Sequence, residues 1–414
     1  MHAVPFRTCL IAAWLVFALA RPAADAQAPS AAPSGHTVVL ISLDGLGWDA
    51  PVRDGAAHLL ALGKRGVWAP AGILPSYPAL NAPNLYTIVT GLYPGQHGIV
   101  GEAFYDPTRK ESYSADDPQS ASEGAWYAGT PLWSLAESRG VRTACLGWTG
   151  CAARIAGHRP TYTIPVEKKP EAAVRQIMNW LRLPAERRPR FIAARLAEPA
   201  QAARRFGPDA PQTRAAVRAI DAVLGGLMAD LSSAALPIDL VVVSDHGFAE
   251  TNGGWITLDQ YTSLAGFTST GTFLYAQSES DRAHAYNLLK RATSEFVAYR
   301  LKDLPADLHL KPNERAGDPV IVATGAYAIR TRAPNAGDAD GAAARGVDGF
   351  DPQIVPEMKA IFFAAGPDIV KGKTVAPFES VHLYPWLAHL LGLNPAKSDG
   401  NLNILSGTLR DDGN

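Results

Sequence analysis

Residues 37–45 have the sequence TVVLISLDG, in which a β-branched apolar run ends in Asp44 and a glycine. Residues 239–247, DLVVVSDHG, show the same pattern and end in Asp245, His246 and a glycine. Both runs are typical of buried parallel strands. Ligands of open α/β sheets bind beyond the carboxyl ends of the strands. We therefore expect the two aspartates and the histidine to lie at a binding site.

The residue types in these two clusters indicate a metal site. Two carboxylates and an imidazole suit a divalent cation, because hard oxygen ligands carry the charge and the imidazole adds a nitrogen ligand. From the residues alone a second interpretation stays open, in which each aspartate caps a helix and the histidine packs in the core.

The composition excludes some classes of partner. The chain has 414 residues, of which 47% are hydrophobic, and its formal net charge is −1. This length and hydrophobic content are sufficient for a large core. A chain without a basic excess does not bind nucleic acid or anionic membranes by bulk electrostatics.

The order of apolar patterns predicts an α/β fold, with a mostly parallel sheet sandwiched by helices. Strand-like and helix-like runs alternate along the chain, at 37–43, 54–66, 131–139, 142–146, 171–183, 191–196, 213–231 and 239–243. Short mixed elements follow, before a buried strand returns at 360–365. We therefore predict a core of residues 37–252 and 346–414 with an inserted cap subdomain at 253–345.

The N-terminal residues predict export. Residues 1–26 combine Arg7, an apolar stretch at 9–20 and a small-residue cleavage site, which is typical of a secretory signal peptide. This stretch is too short to span a bilayer. Residues 27–36 form a linker rich in proline, serine and alanine. We expect an exported protein, periplasmic or secreted, without a membrane span.

Two cysteines remain after removal of the signal peptide. Cys145 and Cys151 are six positions apart. In an oxidising compartment they could form a disulfide, and two separately buried thiols are the alternative.

Residues 77–107 carry a resemblance to a known family. Their sequence is YPALNAPNLYTIVTGLYPGQHGIVGEAFYDP. Together with SDHG at 244–247 and MKAIFFAAGP at 358–367, it resembles the nucleotide pyrophosphatase/phosphodiesterase family of the alkaline phosphatase superfamily. The resemblance covers about residues 37–395 and implies a parallel α/β core with a cap insertion. It does not by itself imply the activity.

The resemblance implies a site with two zinc ions, in which a metal-bound threonine is the nucleophile. Asp44, Asp245 and His246 match the three protein ligands of the zinc that activates this nucleophile. We therefore expect one divalent cation here, zinc first, with manganese, magnesium or calcium as alternatives.

The nucleophile and the phosphate contact differ from the family pattern. The family sequence T-F-P-N-H corresponds to NAPNL at 81–85, so Asn81 stands at the threonine position. An amide has no ionisable hydroxyl and cannot form a phospho-enzyme. Glu102 replaces the asparagine that contacts phosphate in the family, and its negative charge disfavours phosphate binding unless the carboxyl group is protonated or turned away.

The ligands of the second zinc are also replaced, at Ala200, Arg204 and Asp348. A guanidinium stays protonated and is not a metal ligand, so a second zinc is not expected. We predict instead that Arg204 pairs with Asp348 and supplies a fixed positive charge. Tyr162 matches an aromatic residue on which the family stacks a nucleobase, although plain packing is the commoner role of such a tyrosine.

Three functions are compatible with this sequence. The first is an exported phosphodiesterase-like protein that has lost two-zinc chemistry and binds one cation and a nucleotide-like or phosphate-ester molecule. The second is an active hydrolase of phosphodiester or pyrophosphate bonds that uses one metal and a water molecule. The third is an exported scaffold that binds a protein partner. We favour the first, because phosphoryl transfer depends on the positioning and charge stabilisation that these substitutions remove.

Overall fold

A computed structural model of the chain describes residues 1–2, 36–167, 169–251, 255–332 and 345–410. The predicted signal peptide and linker therefore lie outside the described residues, apart from Met1, His2 and His36. Within the described ranges, no helix has the length and apolar character needed to cross a bilayer.

The described residues contain eighteen strands. They are β1 Thr37–Leu43, β2 Val67–Trp68, β3 Ala103–Asp106, β4 Glu111–Ser114, β5 Thr143–Leu146, β6 Tyr162–Ile164, β7 Phe191–Leu196, β8 Ile238–Val243, β9 Ala249–Glu250, β10 Trp255–Thr257, β11 Phe267–Thr270, β12 Phe273–Ala276, β13 Phe296–Tyr299, β14 Val320–Ala323, β15 Ala328–Arg330, β16 Gly346–Val347, β17 Phe362–Ala365 and β18 Lys373–Thr374.

The same residues contain eleven α-helices. They are α1 Ala50–Arg53, α2 Ala57–Arg65, α3 Asn81–Thr90, α4 Pro94–His97, α5 Pro118–Ala121, α6 Leu132–Ser138, α7 Pro170–Leu181, α8 Ala200–Phe206, α9 Pro211–Ser233, α10 Glu279–Leu289 and α11 Leu383–Leu390.

A central eight-stranded sheet has the order β18-β2-β17-β8-β1-β7-β5-β6. Strand β1 pairs in parallel with β7 and β8, and β5 pairs in parallel with β6 and β7. Strand β17 is antiparallel to both β8 and β2. The prediction of a mostly parallel sheet is confirmed.

The sheet is buried on both faces, which explains why its strands are continuous apolar runs. Successive residues of β1 alternate between two hydrophobic cores. Val38 and Leu40 pack into one core, whereas Val39, Ile41 and Leu43 pack into the other. Residues of α3, α6 and α11 belong to the first core, and residues of α2, α7 and α9 belong to the second.

The segment between β9 and β16 has a different architecture from the sheet. It forms three two-stranded ladders, β10–β15, β11–β12 and β13–β14, and it contains helix α10. A small apolar cluster of its own holds these elements together. The predicted boundaries of the cap fall beside residues 252–254 and 333–344, which lie outside the described ranges, so the division into domains stays a prediction.

A disulfide joins Cys145, in β5, to Cys151 in the following loop. The two Cα atoms are 6.2 Å apart, within the range that a disulfide requires. Of the two alternatives for these cysteines, the structure contains the bridge.

Candidate functional site

The strand-end residues meet as the sequence predicts. Asp44 follows β1, and Asp245 and His246 follow the adjacent parallel strand β8. Each of the three is only 1% exposed. Helix α3 begins beside them at Asn81, which is also buried. Neither aspartate caps a described helix, so the alternative role as a helix cap is not observed.

Asp245 is surrounded by hydrogen-bond donors from the protein. Its Oδ1 accepts from the backbone N–H of Gly45 at 2.8 Å and from that of His246 at 2.9 Å. Its Oδ2 accepts from Nδ2 of Asn81 at 2.5 Å. Asn81, which the resemblance sets at the nucleophile position, therefore donates to the carboxylate that the resemblance predicts as a metal ligand.

Arg195 neutralises Asp44, and sequence reasoning missed this residue. It lies on β7, directly beside Ser42 of β1, and its Nε donates to Oδ2 of Asp44. The hydroxyl of Ser42 donates to the other carboxylate oxygen at 2.9 Å. An arginine in the otherwise apolar run FIAARL is a signal that could have identified it, because an unpaired charge is costly in a buried strand.

The predicted ion pair at the position of the second zinc is present. The guanidinium of Arg204 donates to Oδ2 of Asp348 at 2.8 Å. Oδ2 of Asp348 is also 3.7 Å from Nε2 of His246. Ala200 lies near Gly45, where a Cβ would come within 2.9 Å of its methyl group. The small side chain of Ala200 thus lies close to the glycine that follows Asp44.

Glu102 lies at the amino end of α3. Its Oε1 accepts from the backbone N–H of Ala82 at 2.7 Å. The pKa of Glu102 is raised to about 7, and burial is the main cause. The nearby Asp348 also raises this pKa, whereas the hydrogen bond from Ala82 and the charge of Arg195 lower it. The carboxyl group of Glu102 therefore accepts a hydrogen bond from a backbone N–H at the amino terminus of α3. Such an N–H is a suitable donor for a phosphate oxygen.

The protein itself supplies the positive charge of this site. Burial raises the pKa of Asp44 to about 6, although Arg195 opposes the shift. Burial lowers the pKa of His246, but Asp245 and Asp348 outweigh it and the net shift is upward. His246 Nδ1–H donates to the Gly247 carbonyl at 2.7 Å. Nε2 therefore faces the carboxylates, 3.3 Å from Asp245 Oδ2.

We tested whether Asp44, Asp245 and His246 fit a cation in this arrangement. In the described part of the chain, the ligand atoms that group within 4.8 Å of one another are those of His36, Asp239 and Asp368. Arg195 and Asn81 already donate to the oxygens that would bind the ion. The protein's own donors thus satisfy one oxygen of each carboxylate, which argues against a cation in this arrangement, and the predicted cation stays a prediction.

Tyr162 lies apart from this cluster. It is on the edge strand β6, its hydroxyl donates to the carbonyl of Arg187 at 3.0 Å, and its ring packs against Trp180 with centroids 6.4 Å apart. None of these contacts involves a residue of the cluster. Its stacking role therefore stays a prediction.

A cavity of about 370 Å³ lies between the inserted segment and the loops around Tyr77 and Glu102, with Glu102 and Asp348 in its wall. Aromatic side chains line much of the remainder, namely Tyr77, Trp255, Phe273, Tyr327 and Phe350. We call this cavity the aromatic cleft. Its residues come from distant parts of the chain, so the sequence did not indicate it.

Comparison with known proteins identifies the relatives of this chain. Residues 38–351 match the family model described as type I phosphodiesterase / nucleotide pyrophosphatase. An uncharacterized pyrophosphatase/phosphodiesterase of Schizosaccharomyces pombe is 31% identical over 88% of this chain and 78% of its own length. A venom phosphodiesterase of Macrovipera lebetinus is 30% identical over 81% of this chain but only 40% of its own length.

Solved structures show the same fold. Murine ectonucleotide pyrophosphatase/phosphodiesterase 5 superposes with a TM-score of 0.83 at 27% identity, covering 91% of this chain and 100% of the murine one. An inactive variant of that murine protein has been solved in complex with AMP. The chain described here belongs to the type I phosphodiesterase / nucleotide pyrophosphatase family.

Proposed function

We propose that this protein is an exported member of its family that binds a nucleoside- or nucleotide-like molecule in the aromatic cleft and has lost two-zinc phosphoryl transfer. The hydrogen bond from Asn81 to Asp245, at 2.5 Å, carries the proposal. It places an amide, which cannot become a covalent nucleophile, where the family requires a hydroxyl. The same amide occupies a carboxylate oxygen that a catalytic metal would need.

The charges of the site support the loss of catalysis. The guanidinium groups of Arg195 and Arg204 pair with Asp44 and Asp348. Transition-state stabilisation requires positive charge that is free to act on the phosphoryl oxygens. Both cations are already neutralised by the protein's own carboxylates.

The lining of the aromatic cleft supports the choice of ligand. Flat aromatic side chains offer stacking surfaces to a nucleobase. The acidic residues Glu102 and Asp348 lie in the same wall. Because carboxylates accept hydrogen bonds, they favour the hydroxyl groups of a sugar and the amino groups of a base over a highly charged phosphate chain. The AMP complex of the murine relative shows that a member of this fold accepts a mononucleotide.

Calorimetric titration with adenosine and AMP tests the ligand. We expect saturable binding of at least adenosine, weakened tenfold or more by Tyr327→Ala, a residue of the cleft. Tyr286→Ala is the matched control, because Tyr286 is a partly buried tyrosine of the same inserted segment that does not line the cleft. Equal loss in both variants, or no binding by the unmodified protein, would contradict the proposal and favour the role of a protein-binding scaffold.

Hydrolysis assays test the loss of catalysis. With bis(p-nitrophenyl) phosphate and zinc, manganese, magnesium or calcium, we expect no turnover above that of Asp245→Ala. Turnover that requires a cation and disappears in Asp245→Ala would show that the chain is a one-metal hydrolase instead.

One observation favours that second candidate. The pKa of Glu102, about 7, suits a general base that activates water near neutral pH. If hydrolysis occurs by this route, Glu102→Gln abolishes it. Hydrolysis that survives this substitution would exclude Glu102 as the base.

A further inference from the structure

A second acidic cluster lies at the opposite end of the central strands. His36 precedes β1, and Asp239 is the second residue of β8, where it pairs with Val38. Asp368 follows β17, which runs antiparallel to β8. The end of β17 therefore meets the beginnings of β1 and β8. Three segments that are distant in sequence converge here, and we call these three residues the amino-edge cluster.

The ligand atoms of the amino-edge cluster are close enough to share one ion. One atom from each of His36, Asp239 and Asp368 lies within 4.8 Å of the other two. Nδ1 of His36 is 2.5 Å from Oδ2 of Asp368. Oδ1 of Asp239 accepts from the backbone N–H of Asp368 at 3.1 Å. Gly366 allows this approach, because a Cβ there would lie 2.1 Å from Oδ1 of Asp239.

One carboxylate oxygen of the amino-edge cluster has no partner among the described residues. Asp239 is 0% exposed, and its Oδ2 forms no hydrogen bond with this part of the chain. A buried carboxylate oxygen without a partner is costly. It is an independent indication that a ligand is bound there, beyond the proximity of the three residues.

The surrounding protein does not neutralise the amino-edge cluster. Among the described residues, neither aspartate forms an ion pair with a lysine or arginine, and His36 is the sole charge partner of Asp368. The nearby Arg190 donates its Nε to the His36 carbonyl at 3.1 Å, and its Nη2 is buried without a partner. Two carboxylates thus share at most one positive imidazole.

We propose that the amino-edge cluster binds a divalent cation of the zinc type. One imidazole nitrogen and two carboxylate oxygens form a mixed ligand set that zinc accepts, and a fourth position is available to water. The ion bridges the chain before β1, strand β8 and the turn after β17, so its role is structural. The proposal is independent of the function proposed for the aromatic cleft, because the two sites lie at opposite ends of the strands.

Zinc titration of the full-length chain, after removal of metal with a chelator, tests this site. We expect one zinc ion per chain by calorimetry and a rise in Tm of about 5 °C at saturating zinc. His36→Gln and Asp239→Asn should each weaken binding at least tenfold. His36 is partly exposed, so its variant remains informative if Asp239→Asn does not fold.

Asp245→Asn is the matched control, because it removes a buried carboxylate from the other end of β8. It should retain the zinc ion and the rise in Tm. The proposal is overturned if the unmodified chain binds no zinc, if binding is unchanged in both amino-edge variants, or if Asp245→Asn loses the ion while they retain it.

Discussion

The two ends of strands β1 and β8 carry similar acidic residues but different counter-charges. At the carboxyl ends, Asp44 is paired with Arg195, and Asp245 accepts three hydrogen bonds from the protein. At the amino ends, His36 is the charge partner that the described residues offer to Asp368, and within the same residues one oxygen of Asp239 is unpaired.

The comparison shows that an acidic cluster alone does not identify a metal site. A guanidinium is a permanent cation with several directed donors, so a cluster that contains one is already neutralised. An imidazole offers a single charge to two carboxylates, and it is on this difference that the proposed zinc ion rests.

The largest expected effect follows from removing the internal cation. Arg195→Ala leaves Asp44 buried without its partner, and we expect a loss of about 3 kcal/mol in the free energy of unfolding at pH 8. Urea denaturation measures it. The loss should be smaller at pH 5, because a protonated Asp44 needs no counter-charge. Adding Asp44→Asn should recover most of the stability, and a loss below about 1 kcal/mol would show that the site does not depend on Arg195.

A pH-dependent effect is expected at Glu102, whose pKa rises from 4.5 to about 7 on folding. Between these values the unfolded chain has lost a proton that the folded chain retains, so folding stability falls as the pH rises. Glu102→Gln does not show this fall in stability, because glutamine does not ionise. Relative to the unmodified protein, the variant should therefore gain about 3 kcal/mol between pH 4.5 and pH 8. A difference in unfolding free energy that is independent of pH would contradict the raised pKa.

A smaller effect is expected at the nucleophile position. Asn81→Ala removes the donor to Oδ2 of Asp245 and should cost about 1.5 kcal/mol of unfolding free energy. A double-mutant cycle with Asp245→Asn isolates the interaction of the two side chains. Additive effects of the two substitutions would mean that this hydrogen bond contributes nothing to stability.

The smallest effect is expected at the exposed ion pair. The side chain of Arg204 is 56% exposed, so Arg204→Ala should cost at most about 1 kcal/mol, and less in 0.5 M salt. Arg205→Ala on the same helix is the control, because Arg205 forms no ion pair among the described residues. A loss as large as that of Arg195→Ala would remove the distinction between the buried and the exposed guanidinium.

The sequence predicted the elements of the fold closely where apolar periodicity was strong. The strand expected at 191–196 is β7, and the helix expected at 213–231 is α9, Pro211–Ser233. It also placed Asp44, Asp245 and His246 together, because carboxyl ends of parallel strands share one edge. The sequence also predicted that Arg204 pairs with Asp348, because these two residues carry opposite charges.

Other parts of the site could not be predicted from local patterns. Arg195 is in an apolar strand, and its partner is known only when β7 is placed beside β1. The aromatic cleft combines side chains from segments between Tyr77 and Phe350. The amino-edge cluster depends on β17 running antiparallel beside β8.

The sequence by itself therefore determined the α/β fold and the family, because these depend on residue type and on spacing along the chain. Only the tertiary structure decided which charges neutralise one another. Coulomb and hydrogen-bond energies depend on distances of a few ångströms, and strand order determines those distances. For that reason Asp44 has a guanidinium partner 151 positions away in the sequence. Among the described residues, one carboxylate oxygen of Asp239 has no hydrogen-bond partner.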